Sequence, residues 1–203
     1  DGPTIQHASF VSIAKGTTLE RVLEDTAAFR ARNPTPVVLF TYLNPLLRRG
    51  MADFLREAVE AGADGLLVTD LPTGSDPALE KQIVDSSLDL VRLVAPTTPL
   101  ARIPEVARGG SGFLYYISRT GVTGARGELR TELAAEIGRI KEAVELPVAI
   151  GFGISTPEQA AAVAAVADGV VVGSALVQAL GHGGVAEGAR FLASLRAGMD
   201  AAS

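Results

Sequence analysis

Six short apolar, β-rich runs, spaced by helical stretches, constrain this chain more than any other feature. The runs are Pro36–Phe40, Gly65–Val68, Leu88–Val94, Phe113–Ile117, Pro147–Ile150 and Val170–Val172. Most are continuously apolar rather than alternating, the pattern of parallel strands buried on both faces. Around them, Ala-, Glu- and Arg-rich amphipathic stretches predict helices at about 17–31, 51–61, 76–86, 101–108, 131–144, 156–165 and 185–199. Thr17 or Thr18 and the triplet Thr156-Pro157-Glu158 read as helix starts, Gly62 and Gly109 as helix stops. Strand and helix alternating at this spacing form the βα series of a parallel barrel or of a doubly wound sheet.

Polar residues weigh between the two. They gather where strands end: Thr41-Tyr42-Leu43-Asn44, Thr69-Asp70-Leu71-Pro72, Ala95-Pro96-Thr97-Thr98, Ser118–Gly124, Gly151–Ser155 and Gly173-Ser174. In a barrel these loops would meet at the one face where such enzymes do chemistry. In a doubly wound sheet they would spread along an edge, with a site only at the switch point. The favoured fold is α/β, a (β/α)8 TIM barrel made by residues 1–203 as a single domain. Such a barrel has eight strands, so the first two βα units are expected ahead of Asp1, which leaves the domain incomplete at its N-terminus. An internal echo, Ala63-Asp64-Gly65-Leu66-Leu67-Val68 against Ala167-Asp168-Gly169-Val170-Val171-Val172, hints at a half-barrel repeat.

Composition narrows the partners. With 47% hydrophobic residues the chain can bury a sizeable core. A net charge of -5 argues against nucleic acid or an anionic membrane as the main partner. The absence of cysteine excludes disulfides and thiolate metal sites. His7 and His182 are too far apart in sequence to suggest a zinc cluster and read as surface residues. No apolar run approaches the ~18 residues of a membrane-spanning helix.

Three of the strand-end loops are rich in glycine and hydroxyls. A buried strand that empties into exposed backbone amides is a common way of holding a phosphate. The loops are Ser118–Gly124, the GFGIS segment at 151–155 and Gly173-Ser174. Gly153 lets backbone approach a ligand, while Ser155-Thr156-Pro157 can begin the next helix, and the alternative is a plain tight turn. Gly173-Ser174 either opens a helix whose amides take a phosphate or supplies Ser174 as a simple N-cap. Asp1 by itself reads as a solvated turn or cap, and gains a place at the catalytic face only if a strand precedes it. Asp70 is a general base, or it terminates the strand or meets a partner surface. Arg119 pairs with a phosphate or is a solvated charge. Tyr42 and Tyr115 either orient an aromatic substrate or belong to the core. No Ser/His/Asp set and no Walker loop is present, and Gly-x-Gly at 151–153 lacks the third glycine of a dinucleotide fingerprint.

Taken together, DGPTIQ at 1–6, Tyr42-x-Asn44, Asp70-Leu71-Pro72, SRTGVTGA at 118–125, GFGIS at 151–155 and GSALV at 173–177 resemble the tryptophan synthase alpha subunit family. The resemblance runs in order along essentially the whole chain. DGPTIQ and SRTGVTGA are its specific motifs, whereas GFGIS and GSA occur in other phosphate-binding barrels. It implies a (β/α)8 barrel that cleaves indole-3-glycerol phosphate to indole and glyceraldehyde 3-phosphate in a retro-aldol sense. The reaction belongs to tryptophan biosynthesis in the cytoplasm. It also implies no cofactor of the chain's own, and pairing with a pyridoxal-phosphate beta subunit in an α2β2 heterotetramer that passes indole through a tunnel. By resemblance Asp1 is the catalytic aspartate that hydrogen-bonds the indole N–H. A carboxylate there stabilises the electron-poor indolenine formed when C3 is protonated. Tyr115 matches a substrate-site tyrosine. Gly124, Phe152, Gly153, Gly173 and Ser174 match positions whose backbone holds the phosphate. Thr123 lies in a loop that closes over the substrate toward the aspartate, and Asp70 in a segment that faces the beta subunit.

One departure from the family pattern has consequences. The other catalytic acid, a proton-shuttling glutamate, belongs to a strand upstream of DGPTIQ and is not among these 203 residues. The chain by itself is therefore expected to show little or no lyase activity, and a longer parent to be an ordinary alpha subunit. The absent initiator methionine and the two absent strands favour the longer parent. Two other readings stay open: a stand-alone indole-3-glycerol phosphate lyase, and a catalytically dead truncated barrel acting only as a binding partner. DGPTIQ and SRTGVTGA speak against another phosphate-binding barrel, such as an isomerase.

Overall fold

The computed structural model describes residues 2–118, 128–151 and 153–201. Each apolar run carries a strand, and each amphipathic stretch a helix. In chain order they are α1 (Pro3–Ala14), α2 (Leu19–Arg30), β1 (Val38–Thr41), α3 (Leu43–Arg49), α4 (Met51–Glu60), β2 (Gly65–Val68), α5 (Pro77–Val84), β3 (Asp89–Leu90) and β4 (Arg92–Val94). There follow a 3-10 turn (Leu100–Arg102), α6 (Ile103–Ala107), β5 (Leu114–Ile117), α7 (Glu128–Ala143), β6 (Val148–Gly151), α8 (Pro157–Ala164), β7 (Gly169–Val171) and α9 (Ser174–Asp200). Thr18 is the cap of α2 and Thr156 that of α8, while Gly62 and Gly109 take the left-handed φ values of 83° and 70° that suit glycine after a helix.

Two helices lie outside the predicted ranges. α1 begins at Pro3, inside DGPTIQ, with the proline at the first helical position where its missing N–H costs nothing. The Tyr42-x-Asn44 strand end is already the start of α3. The run Leu88–Val94, expected as one strand, is broken at Val91: its amide still bonds the Leu66 carbonyl at 3.0 Å, yet β3 belongs to one sheet and β4 to another.

The sheets are β1-β2-β3 and β4-β5-β6-β7. β1, β2 and β3 are parallel, with Val38 opposite Gly65 and Gly65 opposite Asp89. β6 and β7 are parallel, with Ala149 opposite Gly169 and Gly151 opposite Val171. Burial on both faces holds for β2 and β6, whose residues are all buried; β5 alternates, and β1 leaves Val38 and Phe40 exposed.

The echo noticed in the sequence is a duplicated joint. Asp64 accepts from the Val37 amide at 2.7 Å and donates its own amide to the Val37 carbonyl at 2.8 Å. Asp168 does the same with Val148, at 2.8 and 2.9 Å. Each carboxylate also meets a cation on the helix before its strand pair, Arg30 on α2 and Lys141 on α7. The Asp-Gly pair thus fastens the entry of one strand to the entry of the next.

The chain divides into two compact units. One comprises Ile13–Leu93 and Pro104–Leu114. Its core packs Leu39 of β1 and Leu66 and Val68 of β2 with Leu46, Phe54, Leu55 and Ile83 of the helices. Here too Arg92 and Glu80 form a buried ion pair, and Glu80 also accepts from the Gly74 amide. The other comprises the chain up to Ser12, Val94–Ile103 and Tyr115–Ser203. Its buried set includes Tyr116, Ile137, Ile140, Val148, Ile150, Ile154 and Val163. In this unit α9 is two arms rather than one rod. Gly183 leaves helical geometry, and Gly184 at φ 64° and ψ -160° adopts a conformation open in practice only to glycine.

Candidate phosphate and substrate site

The parallel register of β6 and β7 sets two of the candidate loops side by side. Gly151 and Val171 are partners at the strand ends, so Gly153 and Gly173 stand in equivalent places two residues further on. Each loop then feeds a helix, α8 or α9. The two helix starts look alike in sequence and differ in chemistry.

The start of α8 is closed by the protein. Thr156 Oγ1 accepts from the Gln159 amide at 3.3 Å, and Gln159 Oε1 reaches back to the amides of Ser155 at 2.8 Å and Thr156 at 3.2 Å. This capping box uses the amides that a ligand would need, and Glu158 in the first turn answers the positive end of the helix dipole. Ser155 therefore starts a helix, and the part of GFGIS open to a ligand narrows to the backbone around Gly153, which sits at φ 67°.

The start of α9 is open. Gly173, not Ser174, is the N-cap, and no side chain caps it among the described residues. Ser174 is the first helical residue, so the plain N-cap alternative does not hold for it. The first turn, Ser174-Ala175-Leu176-Val177, carries no acid. A Cβ built on Gly173 would meet no described atom within 4 Å. The first amides of a helix have no partner within it, and the dipole adds partial positive charge there. Such an end, uncapped and unopposed, is suited to an anion.

Tyr115 on β5 lies against the same strand ends. A Cβ on Gly151 would come within 2.6 Å of its Oη, 2.9 Å of its Cε2 and 2.9 Å of Val171 Cβ, so glycine at 151 makes the room the tyrosine ring occupies. Burial pushes the Tyr115 phenol above its ordinary value near 10, so it keeps its proton at neutral pH. The next residue but two, Ser118, is buried and donates its amide to the Gly151 carbonyl at 3.2 Å. Tyr115, Gly153, Gly173 and Ser174 thus share one unit, on adjoining strands.

Tyr42 and Asp70 belong to the other unit. Tyr42 is the N-cap residue of α3 and gives it no side-chain cap. Asp70 supplies one instead, accepting from the Leu43 amide at 2.6 Å. Its carboxylate thereby has the strand-end structural task that was the alternative to a general base. A cavity of about 400 Å³ in this unit, lined by Thr73, Pro77, Glu80, Arg92 and Arg108 among others, contains none of the candidate catalytic or substrate-binding residues. Asp1, Arg119, Thr123, Gly124 and Phe152 lie outside the described residues. Sequence reasoning passed over Gly151 as a space-maker and Gln159 as a cap. The second was signalled by Thr-x-x-Gln, the capping-box spacing.

Among the described residues no group of acids and histidines is placed to hold a metal ion, and no helix is long and apolar enough to cross a membrane.

Known proteins share this arrangement along the chain. The sequence model of the family described as tryptophan synthase alpha chain matches residues 1–199. The tryptophan synthase alpha chain of Gluconacetobacter diazotrophicus is 52% identical over 189 residues, covering 93% of this chain and 69% of that protein. Its counterpart in Novosphingobium aromaticivorans is 47% identical over 190 residues, covering 93% and 71%. Among solved structures, tryptophan synthase subunit alpha from Legionella pneumophila superposes with a TM-score of 0.87 at 35% identity, covering 99% of this chain and 77% of that one. A chain of the a2b2 tryptophan synthase complex from Pyrococcus furiosus gives 0.86 at 35%, covering 97% and 81%. The α/β architecture with parallel strands is the TIM-barrel fold of these neighbours.

Proposed function

The chain belongs to the tryptophan synthase alpha chain family, and from that premise we propose that it is the alpha subunit of tryptophan synthase, a lyase of tryptophan biosynthesis. It cleaves indole-3-glycerol phosphate to indole and glyceraldehyde 3-phosphate, and works with the beta subunit in an α2β2 assembly. Its place of work is the cytoplasm.

The observation that carries the substrate reading is the uncapped start of α9 beside the Gly153 loop. An alkyl phosphate accepts hydrogen bonds from the Gly173 and Ser174 amides and takes up the helix dipole. Gly124, Phe152 and Gly153 supply further backbone around it. With the phosphate fixed, the indole lies toward Tyr115, and Thr123 closes the loop over it. C3 of the indole takes a proton from the family's proton-shuttling glutamate, which is not among these 203 residues, and the ring becomes an electron-poor indolenine. The bond from C3 to the side chain then breaks. Its electron pair returns to the ring, while the side-chain hydroxyl gives its proton to the same glutamate, by then a carboxylate, and becomes the aldehyde. Asp1 beside the ring N–H stabilises the positive charge as it develops.

Turnover of indole-3-glycerol phosphate with and without a tryptophan synthase beta subunit tests this reading. Strong acceleration by the partner is expected. Fast release of indole by the chain alone, unchanged by the partner, would show a stand-alone lyase instead.

A further inference from the structure

Both helices of the phosphate grip rest on one further element, the second arm of α9 (185–200), and each contact passes through a glycine. At one end a Cβ on Gly198 would lie 2.6 Å from the Pro157 carbonyl oxygen, 2.7 Å from its Cβ and 2.9 Å from its carbonyl carbon. Pro157 opens α8, directly behind the Gly153 loop. At the other end a Cβ on the buried Gly188 would lie 2.6 Å from Leu180 Cδ2, 3.0 Å from its Cγ and 3.5 Å from Leu176 Cδ1. Leu176 and Leu180 belong to the first arm, two and six residues after Ser174. Carbon atoms in ordinary contact stand about 3.5–4.0 Å apart, so the Gly198 seat, against backbone, exists only because a side chain is missing, while a side chain at Gly188 would have to push the Leu180 side chain aside. Glycine inside a helix is less stable than alanine, and close approach is the reason to keep it there.

We propose that the second arm is a spacing brace for the phosphate grip, with Gly188 and Gly198 as its positioning residues. The ten residues from one to the other form about 15 Å of stiff helix. One end is seated on the backbone that starts α8, and the other on the arm whose first amides are uncapped. The brace therefore sets how far the Gly173-Ser174 amides stand from the Gly153 loop. Charge-assisted hydrogen bonds weaken steeply once donor and acceptor leave their narrow distance range, so a small displacement of the first arm costs affinity for the phosphate. The kink at Gly183-Gly184 is what lets the arm fold back onto its own helix. This inference rests on the reading that the grip holds the substrate's phosphate.

The test uses the chain together with the beta subunit, and measures the Kd for glycerol 3-phosphate and the KM and kcat for indole-3-glycerol phosphate. Gly188→Val and Gly198→Ala are each expected to raise Kd and KM by roughly tenfold while kcat stays within about twofold, the signature of lost uniform binding. Gly188→Ala should raise Kd less, and adding Leu180→Ala, which clears the space the new methyl needs, should bring it back down. Ile83→Val, a buried substitution in the other unit, should lower stability and leave Kd unchanged. If the glycine variants lose only thermal stability and keep the wild-type Kd, or if Leu180→Ala gives no rescue, the brace is overturned while the phosphate reading stands. Wild-type protein that fails to bind glycerol 3-phosphate would overturn the phosphate reading, and the brace with it.

Discussion

At Ser174 stability and affinity can be made to point in opposite directions. A carboxylate in the first turn of α9 meets the positive end of the helix and stabilises it by about 0.3–1 kcal/mol. The same charge repels a phosphate at that spot. Ser174→Asp is therefore expected to raise the melting temperature slightly while raising KM for indole-3-glycerol phosphate at least tenfold, which thermal melts and steady-state kinetics would show together. Gly151 is the other sensitive position. Its missing side chain is the space of Tyr115, and forcing a methyl into a filled site costs about 1–3 kcal/mol. Gly151→Ala should lower stability by that order in denaturant melts, and should depress kcat/KM well beyond what the stability loss explains. In the sequence Gly153, Gly173 and Ser174 stand out because glycine and serine after an apolar run expose backbone amides, although a tight turn or a simple N-cap draws on the same residues. It did not reveal that the two loops differ. The closure of α8 depends on a glutamine three residues into the helix, and its effect on the ligand appears only once the amides are traced to their partners.

At the scale of elements, the buried pair between α5 and β4 is the sharpest test. Arg92 is 5% exposed and Glu80 8%, and the Arg92 Nε has no partner among the described residues. Removing one charge strands the other in a poorly solvated place, so Glu80→Gln should cost about 3–5 kcal/mol by chemical denaturation. Replacing both, as in Glu80→Leu with Arg92→Met, should cost far less or nothing, because neither ion then has to be desolvated. The strands and long helices were legible from periodicity, and α1 and α3 show where that signal fails. α1 buries no residue, so it has no apolar stripe to read, and Phe10 and Ile13 stand 71% and 70% exposed. α3 spans only Leu43–Arg49, too short for a period to be recognised, and takes its cap from Asp70, distant in sequence. The break at Val91 has no local signal either, since it separates two sheets rather than two sequence patterns.

For the whole molecule, acid stability should depend on the duplicated joint. The Lys141 ammonium, followed by the Val148 amide, holds the Asp168 carboxyl below its ordinary value of about 3.8. A carboxyl depressed in the folded state contributes stability that is fully present above its unfolded value. That contribution is lost as pH falls through the folded value. Asp168→Asn should therefore lower stability at neutral pH and flatten its decline in acid below about pH 4, as a series of melts across that range would record. The joint carries a further consequence, for how such a chain can be assembled. Two strand entries built from the same parts, one from Val37 and Asp64 and the other from Val148 and Asp168, are interchangeable fittings. A strand-helix-strand cassette cut at one of them ends in the socket that the other already offers. Duplication or shuffling of such cassettes in a gene would meet a ready-made seam rather than a new one.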